Sequence, residues 1–353
     1  MLIRDIETRV LPVGIKKDFH ISYGTIDQME NVFVKIYTDT PFSGFGEASA
    51  IAFITGDTNK SVIGAVDLLK KDLIGLPLDL QLIHKKMNER LYANSAAKAM
   101  IDMACYDALS KKSGLPLYKY LKANKDSLIT DITIGIDSLD VSIATAKGYF
   151  QEGFRIFKIK ASEDVDYCVF LAKAIASFSA DIVLRIDANQ GWSEKTLKSI
   201  VSKLSDYPIE YIEQPVDRKD FKGLKTAKEN SPFPIMADES AVDLKDVKNI
   251  LAGDMVDLIN IKLMKSGGIY PALEIADYAQ AKGIACGIGC MMESSLGISA
   301  AHGLALSHEN ILAYDLDSAL LVENTSIKGC AYYEGPRLVA AKYPGLGLKE
   351  DLW

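Results

Sequence analysis

A chain of 353 residues, 48% hydrophobic and 25% charged, is too long for one average domain and suits one large barrel with a smaller companion. Its net charge of −7, without a Lys/Arg cluster interleaved with aromatics, argues against nucleic acid as a partner, and no apolar run reaches membrane-spanning length. Five scattered cysteines, Cys105, Cys168, Cys286, Cys290 and Cys330, have no zinc-like spacing and fit reduced thiols in a cytoplasmic chain. The charged start, Met-Leu-Ile-Arg-Asp, lacks the apolar core of a signal peptide.

The opening segment alternates at Ile3, Ile6 and Val10, and Asn31 to Tyr37 is rich in β-branched and aromatic residues, so both are expected strands. The Pro and Gly punctuation of Asp39 to Gly44 fits a hairpin connection between that run and Gly46-Glu47-Ala48. Helical spacing follows over 58–72, 79–91 and 95–112, with Ser95 as the expected cap of the third helix and Gly114-Leu-Pro as its end. Strands followed by helices describe an α+β domain over 1–125.

From about Asp131 the pattern alternates strand with helix. Expected strands are 131–136, 154–160, 182–187, 209–213, 234–238, 257–262, 283–288 and 311–315, joined by helical stretches such as Asp164 to Ser177, Glu194 to Leu204 and Tyr270 to Lys282. Eight such strands over 126–318 imply a closed β/α barrel; an open doubly wound sheet is the weaker alternative, because no Gly-x-Gly-x-x-Gly turn follows a strand. The remainder, 319–353, shows no further βα unit and is expected to return to the first domain.

Ionisable residues end these strands at nearly one spacing: Lys160, Asp187, Glu213, Asp238 and Lys262. Charge repeated at the carboxyl ends of barrel strands converges on one rim, which reads as an enzyme site. Lys158 and Lys160 share one face of a strand; alone they would be two solvated lysines, but inside a barrel each is expected to lower the other's pKa toward that of a base. Asp187, Glu213 and Asp238 end three successive strands, and three carboxylates without His or thiolate suit Mg²⁺. Any one of them could be a helix cap; three in register are harder to explain that way. Gln214, Glu239, Ser240, Asn189 and Gln190 are expected around them as turn and supporting groups. Lys262 enters from another direction, so two lysines flank the acids, which is the geometry for racemisation or epimerisation. Lys265 is expected in a loop. Asp315 and Asp317, two apart at the eighth strand, suit a cationic group such as a substrate ammonium, or else form a turn.

In these residues the chain resembles the enolase superfamily, in the muconate-lactonizing subgroup, and the dipeptide epimerases most closely. The resemblance rests on Lys158-x-Lys160, Asp187-Ala-Asn, Glu213-Gln-Pro, Asp238-Glu-Ser and Ile261-Lys262-Leu-Met-Lys-Ser-Gly-Gly, with Asp315-Leu-Asp317 as the mark of the epimerases. It covers nearly the whole chain and implies a modified TIM barrel, (β/α)₇β, under an α+β cap built from both termini. It also implies one Mg²⁺ held by Asp187, Glu213 and Asp238, and Lys160 and Lys262 exchanging roles as base and acid. Lys158 would stabilise the enediolate left when the α-proton of a dipeptide's carboxy-terminal residue departs. The superfamily's pairing of a Lys or His base with Mg²⁺ is itself a known pattern. Thr133 matches a substrate-contacting position, and Asp315 and Asp317 match the holders of the substrate's amino terminus.

The expected substrate is L-Ala-D/L-Glu from cell-wall peptide turnover, or another L-Ala-L-Xaa dipeptide. Ala-Glu epimerases carry an arginine in the cap's first mobile loop, whereas His20 to Ile26 holds none and has Gly24 at the matching place. Either His20 or Lys17 takes over that pairing, or the inverted residue is apolar or varied. Two alternatives stand beside this reading: another reaction of the subgroup (cycloisomerisation, o-succinylbenzoate synthesis, N-acylamino acid racemisation), and a non-catalytic binder on the same barrel. A homo-oligomer is compatible with the sequence.

Overall fold

Ile3–Pro12, Glu30–Thr38 and Gly44–Ala48 pair in chain order as an antiparallel sheet. The structure, a computed structural model, describes residues 1–16, 19–21, 24–26, 30–323 and 327–353, with the backbone alone at 19–21 and 24–26. Lys17 and the side chain of His20 therefore lie outside the described residues. The middle strand is buried on both faces. On one face Val34 and Ile36 pair with Gly46 and Gly44, and a Cβ on either glycine would meet a backbone oxygen of the helix Ser95–Lys112, Met100 at 2.0 Å or Ala104 at 1.8 Å. Only glycine lets the strand lie on that helix. The other face is covered by the far end of the chain: Trp353 packs edge-on to Phe45 at 5.3 Å, and Asp351 takes Lys35 Nζ at 2.5 Å.

Helices Asn59–Leu73, Leu80–Arg90 and Ser95–Lys112 follow the expected spans to within a residue or two. Ser95 is not the cap expected for the third. Asn94 occupies the N-cap position without a side-chain bond, and Asp57 Oδ2 instead accepts from Ala96 N at 3.1 Å. A carboxylate brought from elsewhere in the chain meets the same orphan amides as a local cap.

Eight parallel strands then pair in chain order, Ile132–Ile134, Ile156–Lys160, Val183–Asp187, Ile209–Glu213, Ile235–Ala237, Leu258–Ile261, Ala285–Gly289 and Ile311–Asp315. The first and eighth meet through one backbone bond, Asp131 N to Tyr314 O at 3.2 Å. Arg185 pins that seam from inside, with Nη1 donating to Tyr314 O at 2.7 Å and to Asp131 Oδ2 at 2.8 Å. The result is a nearly closed β/α barrel with a separate capping sheet and helices. Beyond it, the hairpin of Tyr332–Glu334 and Arg337–Val339 pairs with Ser127–Ile129. Among the described residues no helix is long and apolar enough to cross a membrane.

Candidate active site

The strands' carboxyl ends carry the charge. Asp187, Glu213 and Asp238, on the third, fourth and fifth strands, have no solvent exposure, and each carboxylate meets lysine. Lys158 Nζ lies 3.1 Å from Asp187 Oδ2, 2.7 Å from Glu213 Oε2 and 2.7 Å from Asp315 Oδ2. Lys160 Nζ reaches Asp187 Oδ2 at 2.6 Å and Lys262 Nζ reaches Asp238 Oδ2 at 2.7 Å. Above them lies a cavity of about 80 Å³ whose polar wall includes Thr133, Lys158, Lys160, Lys262, Asp315 and Asp317. All nine residues picked out in the sequence are thus brought to one end of the barrel.

Two expectations fail. Lys158 is not depressed toward a base: burial pulls its ammonium down, but Asp187, Asp315 and Glu213 outweigh burial and hold it well above the ordinary lysine value. Nor is Lys265 a loop residue. It sits in the helical turn Leu263–Ser266, almost fully buried, and its Nζ reaches Asp238 Oδ1 at 2.6 Å and donates to Asn260 O at 3.0 Å. The strand ends at Ile261, so strand parity no longer governs the residues beyond it.

The acids are unequal. Burial would raise Asp187, yet Lys158 and Lys160 hold it below the usual carboxylate range, and Lys262 and Lys265 do the same for Asp238. Glu213 is pushed up to about 6 by burial and the neighbouring Asp187 charge. Asn260 Nδ2 donates to Glu213 Oε1 at 2.8 Å, while Asn189 N donates to Asp187 Oδ1 at 2.9 Å. Gln214 Oε1 accepts from Asp238 N and Ser240 N, both at 3.0 Å. These groups fix the carboxylates before any ligand arrives.

The three carboxylates fit a hard divalent cation. They are oxygen donors on adjacent strands, and Glu213 Oε2 and Asp238 Oδ1 receive no directed hydrogen bond although lysine nitrogens stand close. A second group, Cys290, Asp315 and Asp317, has candidate ligand atoms within 4.8 Å of one another. It suits a metal less well, because burial holds the Cys290 thiol well above its usual pKa, Lys158 takes Asp315 and Asp317 Oδ2 accepts from Thr133 N at 2.6 Å.

Sequence reasoning missed three supporting residues. Glu47, from the cap sheet and fully buried, accepts from Asn31 Nδ2, Ser294 N, Ser294 Oγ and Gly297 N. Asn31 Nδ2 and Ser49 Oγ both also donate to Met292 O. This one acid joins the cap to the loop that carries Met291 and Met292 into the cavity wall. Lys265 is the second. The third, Arg218, lies in the loop after Glu213, a position whose location past a barrel strand was its only signal.

The comparisons agree with this architecture. Residues 142–352 match the family description "Enolase C-terminal domain-like" and residues 5–121 match "Mandelate racemase / muconate lactonizing enzyme, N-terminal domain". The chain belongs to this enolase superfamily family. It is similar to the hydrophobic dipeptide epimerase of Enterococcus faecalis, 39% identical over 99% of both chains. Among solved structures it superposes on the substrate-liganded L-Ala-D/L-Glu epimerase of Bacillus subtilis with a TM-score of 0.95, at 36% identity over 99% of both chains. It superposes equally well, at 38% identity over 99% of this chain and 100% of the other, on the Enterococcus faecalis dipeptide epimerase complexed with Mg and L-Leu-L-Tyr. The chain is accordingly an enzyme of the isomerase class.

Proposed function

We propose that the chain is a Mg²⁺-dependent dipeptide epimerase that inverts the carboxy-terminal residue of L-Ala-L-Xaa dipeptides. The observation that carries this reading is the placement of Lys160 and Lys262 on one cavity. They end the second and sixth strands, four places apart in a ring of eight and so on opposite walls. A carbon held between them has an ammonium or amine on each face. In one direction Lys160 Nζ would take the α-proton and Lys262 Nζ would return one from the far side; the reverse direction exchanges the roles.

Asp187, Glu213 and Asp238 would hold the metal. Bound there, Mg²⁺ would supply the positive charge that makes an α-proton beside a carboxylate removable. Lys158, pinned by three carboxylates, would stay charged and add to the stabilisation of that carboxylate as it gains charge. Asp317, on Thr133 N, and Asp315 would take the substrate's ammonium, with Thr133 setting the depth of the amino end.

The rest of the cavity wall is mostly apolar, Ile51, Phe53, Ile54, Met291, Met292 and Leu321 beside Asn189, Cys290 and Ser318, with no arginine among its described lining residues, which supports an apolar Xaa. A glutamate side chain there would lose solvent without a charged partner. Ala-Glu is thus the poorer member of the substrate class in this reading. The reading also divides the chain into a cap over 1–125, a barrel over 126–318 and a returning segment over 319–353, and assigns it to the cytoplasm, in line with five free thiols.

Proton NMR in D₂O with Mg²⁺ tests it. The carboxy-terminal α-proton of L-Ala-L-Leu is expected to wash out as a diastereomer appears, and L-Ala-L-Glu is expected to react more slowly. If no peptide in an L-Ala-L-Xaa set exchanges although Mg²⁺ binds, the activity belongs elsewhere in the subgroup.

A further inference from the structure

The turn Ala52–Thr55 places Phe53 and Ile54 in the cavity wall, yet none of its four residues is buried. A single turn of helix is far too short to hold itself. Inside it Thr55 N donates to Ile51 O and Gly56 N to Ala52 O, both at 3.0 Å, and the next two carbonyls along are Phe53 O and Ile54 O. Arg218 takes both: Nη2 donates to Phe53 O and Nη1 to Ile54 O, each at 2.7 Å. A planar guanidinium matches two adjacent carbonyls, and a cation is favourable at the carboxyl end of a helical turn.

Arg218 is itself held by Gln190 and Ser240. Its backbone N and its Nε donate to Gln190 Oε1 at 2.9 and 3.2 Å, and its O accepts from Ser240 Oγ at 3.0 Å. Ser240 in turn bonds Gln214. Gln190, Gln214 and Ser240 belong to the loops that follow Asp187, Glu213 and Asp238. Gln190 and Gln214 hold left-handed φ angles of 66° and 37°, a strain that persists only where surrounding bonds over-determine the loop.

We propose that Arg218 is a positioning residue that latches the Ala52–Thr55 turn over the cavity mouth, and so sets the space left for the substrate's side chain. The latch ties the cap's turn to the same loops that fix the three buried acids. Its effect on substrate choice rests on the cavity being the dipeptide site; the latch itself does not.

Hydrogen exchange by mass spectrometry on the full-length protein, without dipeptide, reads the latch directly. In Arg218→Met, exchange at the Thr55 and Gly56 amides is expected to rise by about tenfold or more through loss of two charge-assisted bonds. Arg218→Lys, whose ammonium cannot fork across two carbonyls, is expected to fall between. With L-Ala-L-Leu and Mg²⁺, KM is expected to rise by roughly tenfold in the Met variant with kcat changed by less than about twofold, the pattern of lost uniform binding. Unchanged exchange at the turn overturns the proposal. So does faster exchange spread through the barrel helices, because Arg218 would then support the fold rather than the turn. If the wild-type protein epimerises no dipeptide, the proposed activity falls while the exchange result still decides the latch.

Discussion

Lys158 Nζ lies 2.7 Å from Asp315 Oδ2, a bond that ties the second barrel strand to the eighth across the floor of the cavity. The same nitrogen contacts Asp187 and Glu213, so one side chain, 1% exposed, is counter-charge to three buried carboxylates. Lys158→Met keeps the length and removes the charge. It is expected to cost ~3–5 kcal/mol of stability in chelator, the range for a buried charge stripped of its partner. Added Mg²⁺ would then raise the melting temperature of the variant more than that of the wild type. Equal metal-dependent shifts would show that the three acids do not form the metal site.

Asp317 gives the pH dependence. Burial, then the neighbouring Asp315 charge, pushes its carboxyl up to about 6. An ammonium ligand needs the ionised form, so KM is expected to rise about tenfold per pH unit as the pH falls below that value. The dipeptide does not titrate there, its carboxyl being near 3.5 and its amine near 8 (approximate model values). Asp317→Asn should remove the acid limb and raise KM by roughly tenfold or more. An acid limb that survives in this variant assigns it to another group.

The lysine pair separates by stereochemistry. Lys160→Ala and Lys262→Ala are each expected to abolish epimerisation, while each variant still exchanges the α-proton of one stereoisomer with solvent, the isomer whose proton faces the lysine that remains. Single-isomer incubations in D₂O report this. Either variant epimerising at the wild-type rate would refute the two-base assignment.

Glu47 accepts four hydrogen bonds without any solvent exposure. In Glu47→Gln one oxygen acceptor becomes a donor facing the amide or hydroxyl donors of Ser294 and Gly297. Each donor left unsatisfied costs about 1–3 kcal/mol. Thermal unfolding should show that loss, and KM for apolar dipeptides should rise, because the carbonyl of Met292 hangs on the same network. A stability loss with unchanged KM would separate the cap interface from the cavity.

Much of the barrel was legible because six of its eight strands close at a charged residue, Lys160, Asp187, Glu213, Asp238, Lys262 and Asp315, and because pleat and helix periods differ. The three acids and the lysines Lys158, Lys160 and Lys262 were visible one strand at a time. The features that escaped were partners fixed by tertiary contact. Lys265 was misread because the chain turns helical directly after its strand, and helical rotation replaces alternation. The direction of the Lys158 shift escaped because Asp315, which helps raise it, comes from the opposite end of the barrel's sequence. Asp57 as cap of a helix beginning at Ser95, and Arg218 as partner of Phe53 O and Ile54 O, join segments whose sequences carry no mark of each other. The side chains of the loop from His20 to Ile26, whose sequence holds no arginine, lie outside the described residues, so the choice of side chain is argued from Phe53, Ile54 and the two methionines.

Trp353 against Phe45 and Asp351 on Lys35 have a consequence for the order of assembly. The cap's sheet is made from strands that precede the whole barrel in chain order, but one of its faces is completed only by residues 351–353, which follow it. Its outer layer must therefore wait for the entire barrel, while the seam between Asp131 and Tyr314 joins strands from the two ends of the barrel and carries a correspondingly large chain-closure entropy. Removing residues 351–353 would leave Phe45 and the Lys35 ammonium uncovered on the nascent cap for good, and the expected phenotype is aggregation during expression rather than a slower enzyme.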